Sequence, residues 1–316
     1  MKWWYGYWFR PAPLLDLAVL RITAVGLQIL LLLNGHQQLA RVRSYAELPE
    51  QWYAPLPILR LLMLSFGTPQ RPSIEVLEII WFITIVTGIL ALIGLFTNVN
   101  LLVFAAGNVF IQAFFYSFGD FHHPEAVMMI ALTVLALSPS GAVLSVDHWL
   151  RERARPGGVL ANDSLTRESA FARWPVLTIQ WIFVLMYMSA VLSKLVFFGP
   201  NWLNGLTLQG YLIRDGIRWE SPLALWLAQH HLLVLGLQYM TIAFQGTFAL
   251  AVIFPKLRWI YVPVGLAFHV GILLTLRADF YQWIALYVVL IPWSQALHRG
   301  LQYLGAHGLL STKRAA

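Results

Sequence analysis

The stretch "PVLTIQWIFVLMYMSAVLSKLVFFGP", residues 175–200, decides the fold. A bilayer core about 30 Å thick requires about 20 consecutive apolar residues in a helix, and this run supplies them with one charged side chain, Lys194. Seven other runs have the same character: 14–33, 74–96, 99–118, 124–144, 232–254, 257–276 and 280–297. Among lipid tails every backbone N–H and C=O must find a partner within the protein. Runs this long and this continuous meet that demand as helices, not as alternating barrel strands of about 10 residues. The fold class is therefore all-α, a polytopic integral membrane bundle of about eight transmembrane helices.

Composition points the same way. Of 316 residues, 59% are hydrophobic and 11% charged, whereas a soluble domain carries roughly 25% charged residues to cover its surface. The absence of cysteine excludes disulfides, thiolate metal sites, iron–sulfur clusters and thiol catalysis. A net charge of +7 could mark a nucleic-acid binder in a soluble chain. Here its placement is a topology signal, and no nucleic-acid partner is expected. With eight spans, twelve Lys and Arg fall on the side of both termini and seven on the other, with Arg21 and Lys194 inside spans. That bias puts both termini in the cytoplasm of a multi-pass plasma (inner) membrane protein.

No Ser/Gly-rich linker or charge block divides the sequence, so 1–316 reads as a single transmembrane domain with no appended soluble domain. The N-terminal "MKWWYGYWFRPAP" has no signal-peptide cleavage site and reads as an aromatic interfacial anchor. Two further stretches, 55–67 and 201–231, are too short or too mixed in Trp, Leu and Arg to cross. They read as short interfacial helices on the extracytoplasmic face.

Ionisable groups inside a bilayer are costly and by default face the bundle interior or a cavity. His122 and His123, in "FGDFHHPEAVMM", open the fourth span; His269 lies mid-span in "GLAFHVGILL"; Arg21 lies in the first span and reads as structural, by snorkelling or by bridging helices. Lys194 has two readings. Its stem could snorkel the roughly 6 Å to the end of the run. Alternatively, it could face inward among Ser189, Ala190 and Ser193 and, as a neutral amine, act as a base. His269 needs a partner, for which Gln245, Gln180 and Tyr187 are candidates. His122, His123 and Glu125 lack the i, i+4 pairing of a zinc motif, so no metal is expected. Phosphate-cradling glycine loops, Gly-x-Ser-x-Gly elbows and paired-carboxylate signatures are absent.

At these residues the sequence resembles the HTTM family, the transmembrane domain related to vitamin K-dependent gamma-glutamyl carboxylase. The likeness rests on "LAVLRIT" around Arg21, "HHPEAVMMIALTVLALSPSGAVLSVD", "YMSAVLSKLVFFGPNWLNGLTL" and "FHVGILLTLRADFYQWIALYVVLIPW", in that order. The resemblance implies a reduced vitamin K or menaquinone-type quinol as cofactor. It implies Lys194 as the general base and His123 as its orienting partner, with His122, His269, Tyr187, Gln245 and Trp202 around the quinone. The partners it implies are membrane lipid, the quinone and a soluble or secreted protein or peptide.

Three departures stand out. His122 stands where the carboxylase has Asn, Gln245 falls where many members carry Glu, and no counterpart of the carboxylase's large extracytoplasmic domain is expected. The expected activity is that of a quinol-dependent carboxylase or epoxidase. The alternative is a non-catalytic accessory protein for maturation or export of a secreted peptide, or a lipid-binding scaffold.

Overall fold

The computed structural model describes residues 1–65, 71–121, 123–154, 166–197 and 199–306. The chain starts with α1 (Lys2–Trp8), strand β1 (Ala12–Pro13) and α2 (Leu14–Asn34), followed by α3 (Leu39–Ala46), α4 (Pro57–Ser65), α5 (Ile74–Ile93) and α6 (Thr97–Tyr116). Next are α7 (His123–Ala136), α8 (Val146–Arg153), strand β2 (Glu168–Ser169) and α9 (Arg173–Leu192), which runs on as a π-helical turn, Ser193–Phe197. A short 3-10 turn, Gly199–Trp202, leads to α10 (Leu206–Arg218), α11 (Pro222–Ala228), α12 (His231–Thr247), α13 (Ala249–Ile253) and α14 (Arg258–Leu276). The last elements are α15 (Tyr281–Leu286), a 3-10 turn at Tyr287–Leu290 and α16 (Trp293–Ala306). Among the described residues the only strand pairing is the two-residue antiparallel match of β1 with β2.

Six helical stretches are long and apolar enough to cross a membrane: Leu14–Asn34, Ile74–Ile93, Thr97–Tyr116, Arg173–Phe197, His231–Ile253 and Pro255–Leu276. Two of the eight expected runs give shorter helices, Pro124–Ala136 and Tyr281–Leu290. The cause is proline in both. Pro139 and Pro292 lack a backbone N–H and disfavour helical geometry at the residue before them, so α7 stops at Ala136 and the helix after Tyr281 tightens and ends at Leu290.

The chain forms two compact units that interleave along the sequence. The first comprises Met1–Phe121, Ala131–Leu177 and Ile291–Ala316. Within it α5 and α6 approach closely where Gly107 faces Thr84, leaving no room for a Cβ. Buried amides tie its helices together: Gln28 Nε2 donates to Gln37 Oε1 at 2.5 Å and to Asn108 Oδ1 at 2.7 Å, and Gln37 Nε2 donates to Gln112 Oε1 at 2.8 Å.

The early end of α7 leaves carbonyls without helical partners, and side chains take them up. Asn98 Nδ2 donates to Ala136 O and Ser138 O at 2.7 and 2.8 Å. The fully buried Arg21 donates to Ser140 O and Leu144 O at 3.0 and 2.6 Å. Of the two structural readings of Arg21, snorkelling and bridging, these bonds are those of a bridge. The second unit, His122–Ile130 with Thr178–Leu290, holds the residues considered next.

Candidate functional site

Lys194 sits in the π-helical turn that ends α9. Such turns insert a residue into the helical ladder and re-aim the side chains around it, and they are frequent at functional sites. The lysine stem does not run toward the nearer helix end at Phe197. It folds back along α9, so that Nζ donates to Ala190 O at 3.2 Å and to Gln245 Oε1 on α12 at 3.2 Å. The amine also lies 5.2 Å from the ring centroid of the buried Trp202. No carboxylate among the described residues lies within ion-pair distance of it, so its partners are a carbonyl, an amide and a ring face, none of them charged.

Two helical turns before Lys194, on the same face of α9, stands Tyr187. Its hydroxyl is 2.8 Å from His269 Nε2 on α14 and 2.7 Å from the Tyr287 hydroxyl in the 3-10 turn after α15. All three side chains are buried. Tyr287 reaches this position because Gly265 on α14 has no side chain; a Cβ there would collide with the Tyr287 hydroxyl. Aromatic rings close around the group: Trp283 lies 4.9 Å from Tyr187 and 5.7 Å from His269 between centroids, and Phe280 lies 5.2 Å from His269. Two nitrogens inside this packing, His269 Nδ1 and Trp283 Nε1, have no hydrogen-bond partner among the described residues. The indole N–H is a donor in every state, and Nδ1 is a donor whenever Nε2 accepts from Tyr187.

Of the candidate partners for His269, Tyr187 is the one the structure uses. Gln245 serves Lys194 instead, and Gln180 donates to Val289 O at 2.8 Å and accepts from Arg258 at 3.2 Å. Lys194, Tyr187, Gln245, Trp202 and His269 all belong to the second unit. His122 lies outside the described residues, and His123 is described only as the first residue of α7, without its side chain. Trp283 and Tyr287 were not singled out in the sequence. Their i, i+4 spacing in "YQWIALY" places them on one helical face and was the available signal.

A family model for the HTTM domain matches residues 9–295, and the chain belongs to the HTTM family. It is an integral membrane protein related to the gamma-carboxylase family. No curated protein and no solved structure matches it.

Proposed function

We propose that this HTTM protein is a quinol-dependent membrane enzyme in which Lys194 is the general base and His123 its orienting partner. The observation that carries the reading is the direction of the Lys194 side chain, folded into the helix packing onto Ala190 O and Gln245 Oε1. A snorkelling lysine would extend to the helix end and into headgroups. An amine held by neutral acceptors beside Trp202 can instead take a proton from a bound hydroxyl at Nζ.

The residues also fit a reduced vitamin K or menaquinone-type quinol. His269 Nδ1 and Trp283 Nε1 are buried nitrogens in want of an oxygen, set among rings that suit a planar aromatic ligand. The quinol would supply the reactive oxygen chemistry. Tyr187, Gln245, Trp202, His269 and His122 would bind and orient it, and Lys194 would hold the proton. The reading carries further parts: the single domain over 1–316, eight crossings of a plasma membrane with both termini cytoplasmic, and α4, α10 and α11 lying at the extracytoplasmic surface. A soluble or secreted protein or peptide would be the acceptor of the chemistry.

The test is the product profile of purified protein incubated with vitamin K hydroquinone or reduced menaquinone and oxygen, wild type against Lys194→Ala. Lysine-dependent epoxide formation is the expected result. No turnover with either quinol, together with unchanged quinol binding in Lys194→Ala, would overturn the catalytic reading and leave an accessory membrane protein.

A further inference from the structure

The first unit contains a cavity of about 390 Å³, lined among others by Leu14, Asn98, Gly141, Asp147, Arg151 and Arg167, none of which belongs to the candidate site. Its walls come from the first residue of α2, the start of α6, the turn after α7, both ends of α8, and β2 with the residue before it. These are the ends of apolar helices on one side of the unit, where hydrocarbon gives way to headgroups.

The charges on the wall are unequally committed. Both Asp147 oxygens are taken within the protein: Oδ1 accepts from Phe96 N–H, and Oδ2 accepts from Thr97 N–H and its hydroxyl, at 2.8, 2.8 and 2.6 Å. Arg151 gives one N–H to Gly141 O at 2.9 Å, and Arg167 gives one to Glu152 at 3.4 Å. A guanidinium has five N–H donors in a planar fork. The remaining donors of both arginines have no partner among the described residues.

Backbone pairing holds Arg167 in place, since its carbonyl accepts from Leu14 N–H at 3.0 Å. Arg151 is fixed by α8, whose start is capped by Ser145 Oγ accepting from His148 N–H at 2.9 Å. The same helix exposes Trp149 and Leu150, side chains suited to the boundary between headgroups and tails.

We propose that this cavity is a phospholipid headgroup site in which Arg151 and Arg167 take the lipid phosphate. Two guanidinium forks at the end of a membrane-spanning bundle match the oxygens of a phosphodiester. With Asp147 and the exposed Glu168 on the same wall the formal charges of the lining balance, which favours a single phosphate over a multiply charged anion.

The experiment measures binding of dioctanoyl phosphatidylglycerol, dioctanoylglycerol and inorganic phosphate to the full chain purified in detergent. Wild type, Arg151→Gln, Arg167→Gln and Arg167→Lys are compared, with thermal unfolding as the check on folding. The phospholipid should bind at least about tenfold tighter than the glycerol, and each Gln substitution should weaken it about tenfold, or about 1.4 kcal/mol. Arg167→Lys should recover part of the loss. Because Arg167 is exposed, its substitution tests the site even if Arg151→Gln fails to fold. Equal binding of phospholipid and glycerol, or Gln variants that bind like wild type, would overturn the proposal. Inorganic phosphate binding as tightly as the phospholipid would overturn it in favour of a free-anion site.

Discussion

Tyr187 and Tyr287 share one hydrogen bond, yet they should not cost the same to mutate. The Tyr187 hydroxyl sits between His269 Nε2 at 2.8 Å and the Tyr287 hydroxyl at 2.7 Å, with all three groups buried. Tyr187→Phe breaks both contacts and leaves two buried polar groups without a partner. Tyr287→Phe breaks one contact and leaves the Tyr187–His269 bond intact. Hydrogen bonds between membrane helices average about 0.6 kcal/mol and reach about 1.7 kcal/mol, whereas a buried group left unsatisfied costs about 1–3 kcal/mol. The expected loss is therefore about 2–4 kcal/mol for Tyr187→Phe and about 0.5–1.5 kcal/mol for Tyr287→Phe. In the double variant the stranded Tyr287 hydroxyl is gone, so it should be no less stable than Tyr187→Phe alone. The assay is equilibrium unfolding of the purified protein in mixed micelles with increasing SDS. If Tyr287→Phe proves as destabilising as Tyr187→Phe, the central place given to the Tyr187 hydroxyl is wrong.

Three further outcomes are expected. Gly265→Ala should destabilise the second unit by about 1–3 kcal/mol through overpacking against Tyr287; the same SDS titration checks it, and a neutral result would mean that α14 does not pack there. Arg21→Leu should cost about 1–3 kcal/mol, because it strands the buried Ser140 O and removes the part-buried bond to Leu144 O; a thermal midpoint equal to wild type would remove Arg21 as the bridge to the turn after α7. For Asp147, burial pushes the carboxyl up, but hydrogen bonds from Thr97 and Phe96, with Arg151 nearby, outweigh it and hold the group below its usual range. A lowered folded value means that its stabilisation is complete above the unfolded value of about 3.9 and fades as pH falls through the folded one. Asp147→Asn should accordingly flatten the acid limb of a thermal-stability profile below about pH 4; an unchanged acid limb would count against these bonds.

The spans could be read from the sequence because run length and apolarity are properties of the chain alone. Six of the eight runs became helices long enough to cross, and the two that did not contain the prolines at 139 and 292. The irregular segment after α7 was hard to foresee, because its stability depends on distant donors, Arg21 and Asn98, that reach the orphaned carbonyls only after the helices pack. Lys194 was conspicuous as a lone charge, but the sequence left its direction open. A π-helical turn of five residues, invisible to periodicity, accompanies its position facing Gln245. The partner of His269 was among three candidates, and only the register of α9 against α14 selects Tyr187.

The second unit leaves two buried nitrogens open inside one aromatic packing. In the first unit the amides of Gln28, Gln37, Asn108 and Gln112 bond to one another and hold structure, with Gln28 Oε1 left without a partner among the described residues. In the second, Lys194 has only neutral partners, and the two open atoms in the aromatic packing are both nitrogens, on His269 and Trp283. Open nitrogens in a dry interior cost stability that apolar residues of similar size would not. Such a cost is reduced when an oxygen-bearing ligand enters. A ligand that does so should raise the unfolding midpoint in wild type and lose that effect in Trp283→Phe, which keeps the ring packing and removes the N–H. A midpoint shift of equal size in Trp283→Phe would show that the indole nitrogen has no part in binding.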